Sequence, residues 1–375
     1  MFPFNYPEEI INHFKNLLGI DSNEGIQEFV KKYIGIQKYS FHQINIFVKL
    51  FISQYGNLKE KLQIIENGKD VTDKCFHEFA KCTQYFTNGG YAQLLTGIKK
   101  IYEKDFIDML SKIYDNDSNE MEFPSPLIFI NHKKKFYDNL YISEKGLKNY
   151  KTSKDYLERL KKILDLPFSK ESLLSIIEEK NNDFIITNDN FKIMALLIYR
   201  IIANIPVILM GDTGWGKTSL ITKLNQILNG GKTTLKIIKI YPGITDEILC
   251  ERLEEVNKEE EELKNEGKDL WVFFDEMNSC LSFSLLKEIF INRNYNGKRI
   301  YDNIRLIGAC YPYRKRKENK EKFGLNILDD NDNELVYLVK PLPLSLFYYF
   351  YSLGGIIDID EKKYIHIIIG KLFTK

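Results

Sequence analysis

The stretch that most limits what this chain can fold into is Ile205-Pro206-Val207-Ile208-Leu209-Met210, followed by Gly211-Asp212-Thr213-Gly214-Trp215-Gly216-Lys217-Thr218. The first six residues read as a short buried strand. The octet after them fits the phosphate-loop pattern G-x-x-x-x-G-K-[ST] at every fixed position. From Ser219 to Leu228 the apolar residues Leu220, Ile221, Leu224, Ile227 and Leu228 recur at helical spacing. An ordinary glycine turn is the alternative, and the strand–loop–helix order weighs against it.

A polyphosphate needs converging donors and positive charge, and these residue types supply both. Glycines at Gly211, Gly214 and Gly216 let the backbone curl so that N–H groups point inward. A helix starting near Lys217 aims its positive dipole end at the same point. Lys217 can reach the outer phosphates, and the Thr218 hydroxyl is placed to ligate magnesium. The expected nucleotide-binding residues are therefore Gly211, Asp212, Thr213, Gly214, Trp215, Gly216, Lys217, Thr218 and Ser219.

A second stretch completes the chemistry. Trp271-Val272-Phe273-Phe274-Asp275-Glu276 is an apolar run ending in two acids, as expected of a central strand in a parallel sheet. Its carboxyl end would deliver Asp275 to the magnesium and Glu276 to the attacking water, as general base. A strand ending in two surface acids is the plain alternative. The phosphate loop upstream, with one strand candidate between (Leu235 to Ile240, closed by Tyr241-Pro242-Gly243), favours the catalytic reading. Ile304 to Cys310 is the next strand, expected beside the acidic one. Tyr311 at its end stands where a ring ATPase senses the terminal phosphate. Arg314, opening the basic run Lys315-Arg316-Lys317, is an arginine-finger candidate toward a neighbouring module, against a solvated basic turn.

Composition excludes several classes. The 53 basic and 52 acidic residues leave no net field to draw in nucleic acid. No apolar run approaches the roughly 20 residues that span a bilayer. Cys75, His77 and Cys82 lie close together without a fourth partner, so they read as thiols on a helix face, not a zinc site. An odd count of five cysteines and a start without the regions of a signal peptide point to a reducing, cytoplasmic location.

Residues 1–183 read as mostly helical and 184–375 as the phosphate-loop domain, with the boundary at the polar run Glu178 to Asn190. Phe41 to Tyr55 carries one apolar stripe, read as core more readily than as a partner groove. Ser153 is the expected cap of a helix bearing Tyr156, Leu157 and Leu160, and Pro124 to Ile130 is a short strand candidate. Thr187 or Asn188 would cap a buried helix from Phe191 to Ala203. Glu251 to Asp269 is a charged segment, a solvated helix rather than an acidic docking surface. Leu335 to Phe373 is expected to be helical, its aromatic run Phe347 to Tyr351 packed in a core or an inter-module surface.

Met210 to Thr218 resembles the M-G-E-T-G-C-G-K-T of the mysterin family, giant ubiquitin ligases built on a dynein-like core of AAA+ modules. Four further stretches are similar: Asn204 to Ile208 to G-I-P-V-I, Phe273 to Asn278 to F-F-D-E-x-N, Ala309 to Arg314 to A-C-N-P-Y-R, and Pro341 to Leu346 to L-P-x-S-L. Pro126 to Asn131 also resembles a stretch before the family's first active module. The resemblance implies an α/β P-loop NTPase of AAA+ type with flanking helices, preceded by a helical remnant of another module. It implies ATP and magnesium as cofactors and a ring-like assembly with other modules or chains. Tyr311 stands where the family has a phosphate-sensing asparagine, so the resemblance carries ATP binding further than hydrolysis. The family's second active module and zinc-bearing ligase region have no counterpart here, so a fragment or truncated relative is expected. The alternatives are a nucleotide-gated scaffold that binds ATP without turnover, and a component of a ligase acting only with other chains.

Overall fold

In a computed structural model the described residues are 188–264, 268–314 and 335–353, and before them 8, 11, 12, 14, 15, 19–34, 45, 46, 48–50, 128–130, 136–138, 153–164, 166–178 and 186. The chain divides into two compact units, Met1–Ile205 with Ile356–Lys375, and Pro206–Gly355.

The first unit contains the helices α1 (Asn23–Ile34), α2 (Ser153–Leu164), α3 (Lys170–Glu178) and α4 (Asn188–Ile202), and an antiparallel pair β1 (Ile128–Ile130) and β2 (Phe136–Asp138). Ser22 caps α1 by accepting a bond from the Gly25 amide at 3.1 Å, and Ser169 caps α3 in the same way from Ser172. Tyr156, Leu157 and Leu160 of α2 are buried, at the helical spacing expected of them. Tyr156 meets Phe191 of α4 with ring centroids 5.5 Å apart. Ser153 is the first residue of α2, one position inside the cap place expected of it, and Asn188 is the first of α4, with Thr187, the other expected cap, outside the described residues. On α4 the residues Phe191, Met194, Leu197 and Ile198 are buried, but Ile202 is exposed, so the helix is not covered all round. The Phe41 to Tyr55 stripe is helical where described, at Asn45, Ile46 and Val48–Leu50; its remaining residues lie outside the described set, as do Cys75, His77 and Cys82.

The second unit is built on a five-stranded, all-parallel sheet: β3 (Val207–Met210), β4 (Leu235–Lys239), β5 (Leu270–Asp275), β8 (Ile304–Cys310) and β9 (Phe350–Ser352), in the order β4-β5-β8-β3-β9. A parallel sheet covered on both faces needs strands that are apolar throughout, and Val207–Leu209, Leu270–Phe274 and Leu306–Cys310 are such runs, with Gly308 among them. At the edge, β4 carries Lys236 and Lys239, charges that discourage further strand pairing. Between β3 and β4 lies α5 (Lys217–Leu228); between β4 and β5 lies α6 (Asp246–Lys264). The helix α6 buries Leu249, Leu253 and Val256, and Glu260 with them, and turns Glu251, Glu255 and Glu261 outward, while Glu259 pairs with Lys236 and Glu254 with Lys298. That is the solvated helix the charge run implies.

After β5 the chain makes a tight turn at Met277–Ser279 and a short helix α7 (Phe283–Lys287), continued by a π-helical turn at Glu288–Asn292. The hairpin β6 (Asn294–Tyr295) and β7 (Lys298–Arg299) follows, turning on Asn296 and Gly297 with φ of 46° and 75°. Both values lie in the left-handed region that an Asn-Gly turn accommodates.

From Leu335 to Leu353 the structure corrects the helical expectation; the rest of that expected helix, to Phe373, lies outside the described residues. Pro341 and Pro343 each remove an amide donor and forbid a continuous helix. Beyond them the chain makes a single 3-10 stretch, Leu344–Tyr349, and then β9, whose aromatic residues pair in parallel with β3. Phe350 and Tyr351 are buried on that strand and Tyr349 just before it, while Phe347 is exposed, so the aromatic run packs in a core only in part.

Gly308 on β8 is needed for contact. A Cβ on it would stand 2.1 Å from Met277 Sδ and 3.2 Å from Phe290 Cζ, and both side chains are fully buried. Gly308→Ala is expected to cost about 1–3 kcal/mol by overpacking, read as a thermal midpoint lowered by several degrees. An unchanged midpoint would show that Met277 moves aside freely.

Candidate nucleotide site

The order β4-β5-β8-β3-β9 puts the carboxyl ends of these parallel strands side by side; the connection leaving β3 crosses over β8 and β5 to β4, and the one leaving β8 crosses over β3 to β9. Open α/β sheets bind ligands outside the carboxyl ends of strands at such reversals. The loop after β3 and the acids ending β5 both emerge there.

Gly214 and Gly216 have φ of 82° and 69°, so a side chain at either position would strain the loop. Gly216 directly precedes α5, whose first residue is Lys217. Lys217 is 8% exposed, and its Nζ donates to the carbonyls of Gly211 at 2.7 Å and Asp212 at 2.9 Å. Burial pulls the Lys217 ammonium below the ordinary lysine range, opposed by the carboxylates of Asp275, Asp212 and Glu276. The neighbouring Cys310 thiol is neutral at pH 7, since burial pushes it up to about 12. The carboxylates are thus the groups that keep the lysine charged.

Thr218 Oγ donates to Asp275 Oδ2 at 3.1 Å, joining the loop helix to the end of β5. Burial raises the Asp275 carboxyl above its ordinary value, helped by the charge of Glu276 and opposed by the Thr218 bond and Lys217. A half-buried carboxylate beside one hydroxyl is a hard oxygen pair short of positive charge. It fits magnesium, which takes one or two protein oxygens and completes its shell from water and phosphate. Among the described residues no three His, Cys, Asp or Glu side chains gather as a self-sufficient metal cluster.

Glu276 follows Asp275 with φ 61°, a left-handed residue that turns the chain off the strand. Its carboxylate accepts the Tyr311 phenol at 2.7 Å. The ring of Tyr311 lies 4.5 Å from Lys217 Nζ and stacks on Tyr337, with centroids 4.9 Å apart. Burial, and then the bond to Glu276, push the phenol up to about 12.

Two residues that the sequence reading did not assign hold this arrangement. The Asn278 side chain brackets Tyr311: its Nδ2 donates to the Tyr311 carbonyl at 2.8 Å and its Oδ1 accepts the Tyr311 amide at 3.1 Å. Tyr337 donates its hydroxyl to Asp212 Oδ1 at 2.9 Å and accepts the Thr213 amide at 3.3 Å. Arg314 also reaches Asp212, at 3.1 Å, so this arginine touches its own phosphate loop. Of the expected site residues, Asp212, Thr213, Lys217, Thr218, Asp275, Glu276, Tyr311 and Arg314 are thus linked by hydrogen bonds, an ion pair and a ring contact; Gly211 and Gly214 to Gly216 form the loop between them, with Trp215 half-buried and Ser219 exposed on α5.

Fold and site together define a P-loop α/β module of the AAA+ class. Residues 184–314 match the family model described as RNF213 AAA domain. The E3 ubiquitin-protein ligase RNF213 of Homo sapiens is 32% identical over 212 residues, covering 50% of this chain and 4% of that protein. The Mus musculus protein of the same name is 31% identical over 207 residues, with the same coverage. The E3 ubiquitin-protein ligase rnf213-beta of Danio rerio is 31% identical over 208 residues, again 50% of this chain and 4% of the relative. The match therefore takes in a small part of each relative. Among the described residues no helix is long and apolar enough to cross a membrane.

Proposed function

We propose that residues 184–375 form an AAA+ module that binds ATP with magnesium and hydrolyses it, within a mysterin-like protein. The observation that carries this reading is the Thr218–Asp275 bond of 3.1 Å, which joins the phosphate loop to the acidic strand beside Lys217. Lys217 and the loop amides hold the phosphates, and Thr218 and Asp275 hold magnesium. The metal, when bound, offsets the negative charge of the phosphates. Glu276 orients a water and takes its proton as the water oxygen bonds to the terminal phosphorus; the bond to the bridging oxygen breaks and ADP leaves. Adenine over guanine rests on family likeness. So do a ring-like assembly with other modules or chains, a cytoplasmic location and any share in ubiquitin transfer.

A second reading, a scaffold that binds ATP without turnover, is favoured by one contact. The Tyr311 phenol occupies the Glu276 carboxylate.

Titrating ATP into the chain with and without magnesium tests the site. Magnesium-dependent binding is expected, and no binding in either condition overturns the reading. Asp275→Asn should lose the magnesium dependence and yet raise the thermal midpoint of the nucleotide-free protein. Burial raises the Asp275 pKa, so the ionised form costs stability. That cost is absent below the ordinary value of about 3.9 and sets in as pH rises through the raised folded value. The gain from asparagine is therefore full at pH 7 and shrinks as pH falls toward 4.

A further inference from the structure

We propose that Tyr337 is a positioning residue for the phosphate loop, holding the Asp212–Thr213 peptide in the orientation that steers Lys217 toward phosphate. This rests on the ATP-site reading above. A peptide unit is planar and trans, so its N–H and its C=O point to opposite sides. In this unit both sides are engaged. The Thr213 N–H donates to the Tyr337 hydroxyl at 3.3 Å, and the Asp212 carbonyl accepts Lys217 Nζ at 2.9 Å. The unit cannot rotate about its long axis without breaking both bonds. The Gly211 carbonyl, 2.7 Å from the same nitrogen, takes a second of the three ammonium donors. With two donors fixed, the direction of the third is fixed as well, and it is the one a phosphate oxygen can take. Diphosphate and triphosphate both draw on it.

Tyr337 is itself held in place. The amides on either side of it tie its chain to the ends of two strands: Val336 donates to the Arg314 carbonyl and Lys340 to the Asn278 carbonyl, each at 3.0 Å. Its ring stacks on Tyr311 with centroids 4.9 Å apart. Its hydroxyl donates to Asp212 Oδ1 at 2.9 Å, which leaves the oxygen lone pairs for the Thr213 amide. Arg314 holds the same carboxylate oxygen at 3.1 Å, so the acid stays paired when the hydroxyl is taken away. Removing the hydroxyl thus frees one peptide unit and little else. A freed Asp212 carbonyl no longer fixes Lys217. The ammonium must then be ordered afresh when phosphate binds, and that ordering lowers affinity. Tyr337 acts on phosphate through Lys217.

The test uses the full chain with magnesium, and dissociation constants of ATP and ADP by calorimetry. Tyr337→Phe keeps the stacked ring and removes the hydroxyl. Both constants should rise by about five- to tenfold, the scale of one lost hydrogen bond. The factor should be the same for both, because Lys217 serves both nucleotides. Inorganic tripolyphosphate should lose as much, since the contact concerns phosphate alone. In a Lys217→Ala background the same substitution should change either constant by less than about twofold, because the carbonyl then has no ammonium to hold. Hydrogen exchange at the Thr213 amide of the nucleotide-free protein should be faster in Tyr337→Phe. If the phenylalanine protein does not fold, Tyr337→Leu, which also lacks the hydroxyl, takes its place. Affinities unmoved by loss of the hydroxyl overturn the inference and leave the site standing. A loss confined to ATP does the same, since it would place Tyr337 at the terminal phosphate. So does an equal loss with and without Lys217, the mark of a general loosening of the fold. Absence of nucleotide binding by the wild type overturns the site itself, and this inference with it.

Discussion

Lys217→Ala is expected to weaken ATP binding by about 100-fold or more, the scale of a buried charge-assisted contact. The ammonium is 8% exposed and already holds two loop carbonyls within 2.9 Å. Its pKa is lowered by burial, so the charged form is disfavoured in the fold relative to the unfolded chain and the charge works against stability. That penalty is full below the lowered value and fades as pH rises past it toward the ordinary lysine range. Alanine therefore removes a charge the empty protein does not profit from, and the thermal midpoint should change little. Bound phosphate is what the charge serves. Lys217→Arg should not restore affinity, because a planar guanidinium cannot place a compact charge between the Gly211 and Asp212 carbonyls. Calorimetric titration with circular dichroism as a control checks this. Binding within threefold of the wild type in a folded alanine protein would place the binding energy elsewhere in the loop.

The parts of this site that sequence discloses are those where a local pattern has a mechanical cause. The loop at Gly211 to Thr218 is legible because glycine, lysine and threonine each answer to phosphate or magnesium. The strand Leu270 to Asp275 is legible because a doubly covered strand must be apolar to its end. Other contacts have no local signature. Tyr337 reaches Asp212 across 125 residues, and nothing in Val336-Tyr337-Leu338 distinguishes that tyrosine from its neighbours. Asn278 sits beside the acids in sequence, yet its pairing with Tyr311 exists only because β5 and β8 are adjacent. The stretch from Leu335 to Leu353 departs from the helical expectation for a different reason. Its aromatic and apolar residues suit a helix stripe or a strand, and the arbitration lay in Pro341 and Pro343. The Asn296-Gly297 dipeptide was a hairpin signal in plain sight, between two-residue strands too short to show alternation.

Glu276→Gln should lower phosphate release by about 10²–10⁴-fold, the range of a lost general base, while ATP affinity stays within a few fold. Glutamine matches glutamate in size, and its side-chain oxygen can still accept the Tyr311 hydroxyl that Glu276 Oε1 accepts at 2.7 Å. Its neutral amide cannot take a proton from water. Backbone strain is not altered either, since Glu276 already sits at φ 61° and both side chains bear the same Cβ. The loss is thus confined to proton transfer, and kcat carries it with KM nearly constant. This variant also separates the two readings of the site. A base that works must be missed when it is removed, whatever the rate that Tyr311 permits. A scaffold releases no phosphate before the change or after it, and equal, background-level release from both proteins would decide for the scaffold. The Tyr311–Glu276 bond sharpens the comparison. In the Tyr311→Phe background the hydroxyl no longer holds the carboxylate, so the rate lost on adding Glu276→Gln should be larger than in the wild type. An equal loss in the two backgrounds would mean that phenol and carboxylate act independently, despite the bond between them.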